Sequence, residues 1–120
     1  MATTTAPVLS SSTITGDTVR NPKGEDLGKI KDLMIDTGSG RIAYAVLSFG
    51  GFLGMGDKLF AVPFQALQVH PEEHDFHLDI DKERLERAHG FDKDNWPDMA
   101  DQSWQTDVHK VYNVDPYWNL

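Results

Sequence analysis

The chain has 120 residues, enough for one domain built on one core. Hydrophobic residues make up 39% and charged residues 25%, the balance of a folded globular protein, and the formal net charge is −8. That charge makes nucleic acid an unexpected partner, and the lack of cysteine excludes disulfides, thiolate metal sites and cysteine nucleophiles. The start, "MATTTAPVLSSS", has neither the basic nor the apolar region of a secretory signal. No stretch approaches the roughly 20 apolar residues that span a bilayer, so the expected location is the cytoplasm.

Residues 1–11 are mainly Thr, Ser, Ala and Pro and read as a mobile tail. From Ser12 the pattern turns to strands. "TITGDTV" is short and β-branched, interrupted at Gly16-Asp17. "GKIKDLMID" places Leu33 and Ile35 on one face. "RIAYAVLSF" is apolar on both faces, with Ile42, Tyr44 and Val46 opposite Ala43, Ala45, Leu47 and Phe49. Such a strand is expected near the centre of a sheet, covered on both sides. "DTGSG" joins these two strands as a hairpin in which Gly38 and Gly40 are free to take positive φ.

"KLFAVPF" is a further strand that ends or bends at Pro63. "ALQVH" and "DFHLDI" form a hairpin. Leu67, Val69, Phe76, Leu78 and Ile80 face inward, and Gln68, His70, His77 and Asp79 face solvent. The strands and the turns between them predict a small barrel or sandwich. Its core is expected to bury Leu33, Ile35, Tyr44, Val46, Leu67, Val69, Leu78 and Ile80.

The period changes in the last third. Asp81 is placed to cap a short helix through Leu85 and Ala88, closed by Gly90. In "DNWP", Asp94 or Asn95 caps and Pro97 occupies a first turn, with Trp96 as an anchor to the barrel. Trp104, Val108, Val111 and Tyr112 form one stripe of an amphipathic helix. "NVDPYWNL" adds Tyr117 and Trp118.

The segment "GEDLGKIKDLMIDTGSGRIAYAVLSFGG", Gly24 to Gly51, closely resembles the opening of a PRC-barrel domain. "KLFAVPFQAL" resembles the next strand of that family. The family includes the cytoplasmic domain of the photosynthetic reaction-centre H subunit, the C-terminal domain of a ribosome-maturation factor, and free-standing bacterial proteins. The resemblance implies a mainly β fold: a six-stranded barrel over residues 12–81, followed by a short helical and aromatic extension over 82–120. It also implies a domain that binds other macromolecules and has no general catalytic residue set. The free-standing proteins fit this chain best.

Several constellations bear on function. In "FGGFLGMGDKLF", Gly51, Gly56 and Lys58 approach the spacing of a phosphate-binding loop. Asp57 intervenes before the Lys, Leu59 stands where Ser or Thr is needed, and a strand rather than a helix is predicted to follow. This is therefore read as a glycine-rich connection with an apolar tip, Phe52, Leu53 and Met55. His70, His74 and His77 are spaced like metal ligands. The hairpin register sets His70 opposite Asp75, with His77 as its diagonal neighbour. Nothing in the pattern makes the rings converge, so the cluster is read as a solvated polar face. Asp32 and Asp36 form a carboxylate pair, but Asp36 suits the start of the "DTGSG" turn. Ser, His and Asp occur without a nucleophile elbow.

The sequence thus predicts a non-enzymatic protein-interaction module with no cofactor, no metal and no catalytic residues. The candidate interaction surface is Phe52, Leu53, Met55, Trp104, Tyr112, Tyr117 and Trp118. The aromatic residues beyond the barrel suggest a homodimer. Family resemblance adds a link to reaction-centre electron-transport assembly. The alternatives are a small-ligand or metal-binding protein using the His70–His77 hairpin, and a ribosome-associated factor.

Overall fold

The computed structural model describes residues 8–49, 58–70, 75–88, 90–92, 94–116 and 118. A turn of helix, α1 (Ser11–Ile14), precedes six strands: β1 (Thr18–Arg20), β2 (Asp26–Asp36), β3 (Arg41–Phe49), β4 (Lys58–Pro63), β5 (Leu67–His70) and β6 (Asp75–Leu78). A 3₁₀ turn, Phe64–Ala66, joins β4 to β5, and two helices follow, α2 (Lys82–Arg87) and α3 (Gln102–Val111). "TIT" was expected to open a strand but ends α1 instead. Ser10 caps that helix by accepting from the Thr13 N–H at 3.2 Å. Leu9, in the segment read as tail, packs against the core.

The sheet runs β4-β3-β2-β1-β6-β5. β1 and β6 are parallel, and the other neighbours are antiparallel. One apolar cluster draws on every strand: Val19, Leu27, Ile30, Leu47, Phe60, Val62, Phe76 and Leu78, with Leu67 and Val69 packed against it. Side chains of the two terminal strands, β4 and β5, reach a common core only if the sheet curls. Each fully buried large side chain stabilises this arrangement by about 1.5–3 kcal/mol. β3 is buried from Ala43 to Leu47, as its two-sided apolar pattern predicts.

Gly28 lets β2 approach β3 closely. Its φ is +112°, and a Cβ there would run into the carbonyl oxygen of Ser48 on β3. Asp26 holds this bend, its carboxylate accepting from the Gly28 N–H at 2.8 Å. The β1–β2 register also slips here, with Val19 opposite Gly28 but Arg20 opposite Asp26.

Two further slips fall in the β2–β3 ladder. Between Ile30 and Asp32 the extra residue, Lys31, lies on β2 and exchanges the faces of the β2 residues beyond it; between Met34 and Ile35 the extra residue, Ala43, lies on β3 and leaves the alternation of β2 unbroken. Ile30 is buried and Leu33 half-buried, but Ile35, expected in the core, is 58% exposed one residue from the end of β2. Tyr44, Val46, Leu78 and Ile80 are buried as expected, while Leu67 and Val69 are half-buried. In the β2–β3 turn, Asp36 accepts from the N–H groups of Gly38 (2.9 Å) and Ser39 (3.3 Å), and only Gly40 takes positive φ.

The C-terminal third folds back onto the sheet. Asp81 stands at the cap of α2 but makes no capping hydrogen bond; it pairs with Lys23 at 3.4 Å. The helix closes at Ala88, not at Gly90. Gly90 instead allows close approach, since a Cβ would lie 2.8 Å from the Leu59 carbonyl oxygen. Phe91 then bridges to Leu59 of β4. "DNWP" starts no helix. Asp101 caps α3 by accepting from the Ser103 N–H at 2.9 Å.

Candidate functional site

The expected stripe on α3 exists, and it faces the molecule's own sheet. Tyr44, Ala43 and Ala61 form a second apolar cluster, covered by Trp104, Val108 and Trp118. The Tyr44 ring meets Trp104 edge-on at 5.3 Å and His109 at 5.6 Å, and His109 meets Trp118 at 5.5 Å. Tyr112 packs against the main core. Burial pushes its phenol above the usual tyrosine range, with Arg84 pulling the other way. A cleft of about 150 Å³ remains between Ala61 and the Trp104–Tyr112 stripe. Trp104, Tyr112 and Trp118 therefore complete the fold. Phe52, Leu53, Met55 and Tyr117, the other residues expected at an interface, lie outside the described residues.

Two buried polar residues on α3 escaped the sequence reading. Gln105 donates from Nε2 to the Met99 carbonyl at 2.7 Å, and His109 Nδ1 lies 2.6 Å from the Gln105 carbonyl oxygen. They sit one position beyond Trp104 and Val108, on the flank of the same face, so helical spacing carried the signal. Trp96, expected as an anchor, is 38% exposed and leans on Phe91 at 5.2 Å.

The glycine-rich stretch leads into β4, not into a helix N-terminus. Lys58 bonds to the Ala88 carbonyl at 3.4 Å and lies over the Phe60 ring. Asp32 and Asp36 both accept from nearby backbone N–H groups.

The β5–β6 hairpin has the predicted register: Leu67 faces Leu78, Val69 faces Phe76, and His70 faces Asp75. The face is not uniformly solvated, however. The His70 and His77 rings stack at 3.9 Å, both half-buried, and Asp75 is only 6% exposed. Asp75 Oδ2 lies 3.7 Å from both Arg20 Nε and His77 Nε2. His70, Asp75 and His77 each offer a ligand atom within 4.8 Å of the others, so among the described residues they are the ones able to hold a metal. His74 lies outside the described residues.

One more surface stands out. Ile35 of β2 is 58% exposed, and its cross-strand neighbour Ile42 on β3 is half-buried. Among the described residues, no helix is long and apolar enough to cross a membrane.

No curated protein matches the sequence. Among solved structures, the chain is similar to the crystal structure of a protein from Pseudomonas aeruginosa described as a 16S ribosomal RNA processing protein, RimM. The two are 17% identical with a TM-score of 0.45, over 69% of this chain and 50% of that one. The chain thus spans about half the length of that relative. The model of the PRC-barrel domain matches residues 7–85, more than half of this chain. With the six-stranded curled sheet in place, the chain belongs to the PRC-barrel domain family.

Proposed function

We propose that this protein is a non-enzymatic interaction module that meets a partner protein through the aliphatic pair Ile35 and Ile42. The observation carrying this reading is the 58% exposure of Ile35 within regular sheet. Val8 and Trp96 are the other large exposed apolar residues among those described, and neither lies in a strand or helix. A lone exposed aliphatic is ordinary, but two at cross-strand register on a rigid strand pair offer a preformed contact. Ala43 to Leu47 hold β3 in place behind them. PRC-barrel membership supports a binding role. The net charge of −8 favours a partner that surrounds this contact with basic groups.

The expected homodimer rested on surplus aromatic surface, and Trp104 and Trp118 cover Tyr44 of their own chain instead. A different protein is therefore the preferred partner. The test is comparative capture from the native cell with the full chain and with Ile35→Glu, both checked for fold by circular dichroism. A defined protein is expected with the wild type and absent with Ile35→Glu. Equal capture by both would overturn the reading.

A further inference from the structure

We infer that the β5–β6 hairpin carries a divalent transition-metal site formed by His70, Asp75 and His77. This goes beyond the interaction role and does not depend on it. Asp75 is the most buried of the three. It is 6% exposed, and its Oδ1 is buried with no hydrogen-bond partner among the described residues. Among the described residues its Oδ2 has two long contacts, 3.7 Å to Arg20 and 3.7 Å to His77, beyond hydrogen-bond range. A carboxylate removed from water needs paired charge and hydrogen bonds; Arg20 supplies charge, but Oδ1 of Asp75 is left without a hydrogen bond among the described residues.

What lies beside it is two imidazoles. Register places His70 opposite Asp75 on β5, and alternation puts His77 on the same face of β6. The rings are stacked, 29° apart in plane, with the three ligand atoms inside 4.8 Å. Ligands around a tetrahedral ion with bonds of about 2.0–2.2 Å stand roughly 3.4 Å apart. Closing the set requires the half-buried imidazoles to turn toward Asp75.

The donor set narrows the ion. Two imidazoles with one carboxylate suit Zn²⁺, Co²⁺, Ni²⁺ or Cu²⁺ and are poor for Mg²⁺ or Ca²⁺, which take oxygen ligands. Three protein ligands leave one position for water or an incoming group. Bound metal would take over the role Arg20 now fills at Asp75.

The test uses the full chain, without a histidine tag and treated with chelator. Zn²⁺ is titrated against a chromophoric competitor, and Co²⁺ is followed by its visible absorption. One ion per chain is expected, with a Zn²⁺-dependent rise in melting temperature. His70→Ala and His77→Ala should each weaken binding by at least ~10-fold, the scale on which even outer contacts of metal sites act. Asp75→Asn should do the same. His70 is half-buried, so His70→Ala keeps the test clear should the buried Asp75 variant fold poorly. Absence of binding up to millimolar Zn²⁺ would overturn the proposal and leave Arg20–Asp75–His77 as a purely structural ion cluster. Binding unchanged in both histidine variants would overturn it equally.

Discussion

Gly28→Ala is the substitution most able to break this fold. Two terms add. At φ +112° an L side chain is strained, which costs about 1–3 kcal/mol. The new Cβ would also overlap the Ser48 carbonyl oxygen and lie 3.0 Å from its carbon and 3.2 Å from the Phe49 Cα. These are backbone atoms of β3, which cannot turn aside as a flexible side chain would. β3 could retreat only by opening the packing around Leu47, 1% exposed, and Val46, 0% exposed. Overpacking of this kind costs about 1–3 kcal/mol. The total is roughly 2–6 kcal/mol, which at about 4 °C per kcal/mol for a domain of this size lowers Tm by roughly 8–24 °C. Gly16→Ala is the control. Its φ is +96°, but a Cβ there has nothing within 4 Å, so only the backbone term applies. Thermal and urea unfolding of both variants separate the terms. Equal losses for the two would show that the close approach of β2 to β3 does not exist in solution.

Three further predictions follow from the packing. Leu78→Ala should cost about 2–4 kcal/mol, whereas Ile35→Ala should stay within about 0.5, and urea midpoints showing the reverse would return Ile35 to the core. Asn21 is 2% exposed, donates to Glu25 (2.8 Å) and the Ile80 carbonyl (3.3 Å), and accepts from the N–H groups of Lys23 (3.1 Å) and Glu25 (2.9 Å). Asn21→Ala should therefore cost about 2–4 kcal/mol, measurable by chemical denaturation. For Tyr112, the folded chain holds the phenol proton to higher pH than the unfolded chain does. Its contribution is complete below about pH 10 and declines above it by at most ~1.4 kcal/mol per unit. Tyr112→Phe should lessen the alkaline loss of stability, and identical pH profiles would contradict the burial of that phenol.

The parts of the fold legible in the sequence are those set by alternation and turn chemistry. Leu67, Val69, Phe76 and Leu78 determine the β5–β6 register, and with it the meeting of His70 and Asp75. Asp36 and Gly40 determine the β2–β3 turn. Ile35 was misplaced because it lies one residue from the end of β2, where the apolar pattern persists but neither apolar cluster extends to it. "TIT" was misplaced because Ser10 offers a cap that outweighs a weak β-branched preference. The burial of Asp75 was not legible, since it depends on β1 lying parallel to β6 and bringing Arg20 alongside. Nor could the stripe on α3 say whether it would meet its own Tyr44 or another molecule.

The most direct test of the account is site-specific photo-crosslinking of the full chain in its native cell. A photoreactive residue replaces Ile35 in one variant and the exposed Lys110 of α3 in another. The account predicts a discrete adduct with a different protein from position 35 and none from position 110. An adduct of twice the chain's own mass would identify the partner as a second copy. No adduct from position 35, or the same adduct from both positions, would contradict the claim that this barrel presents its β2–β3 aliphatic pair to a partner and keeps α3 for itself.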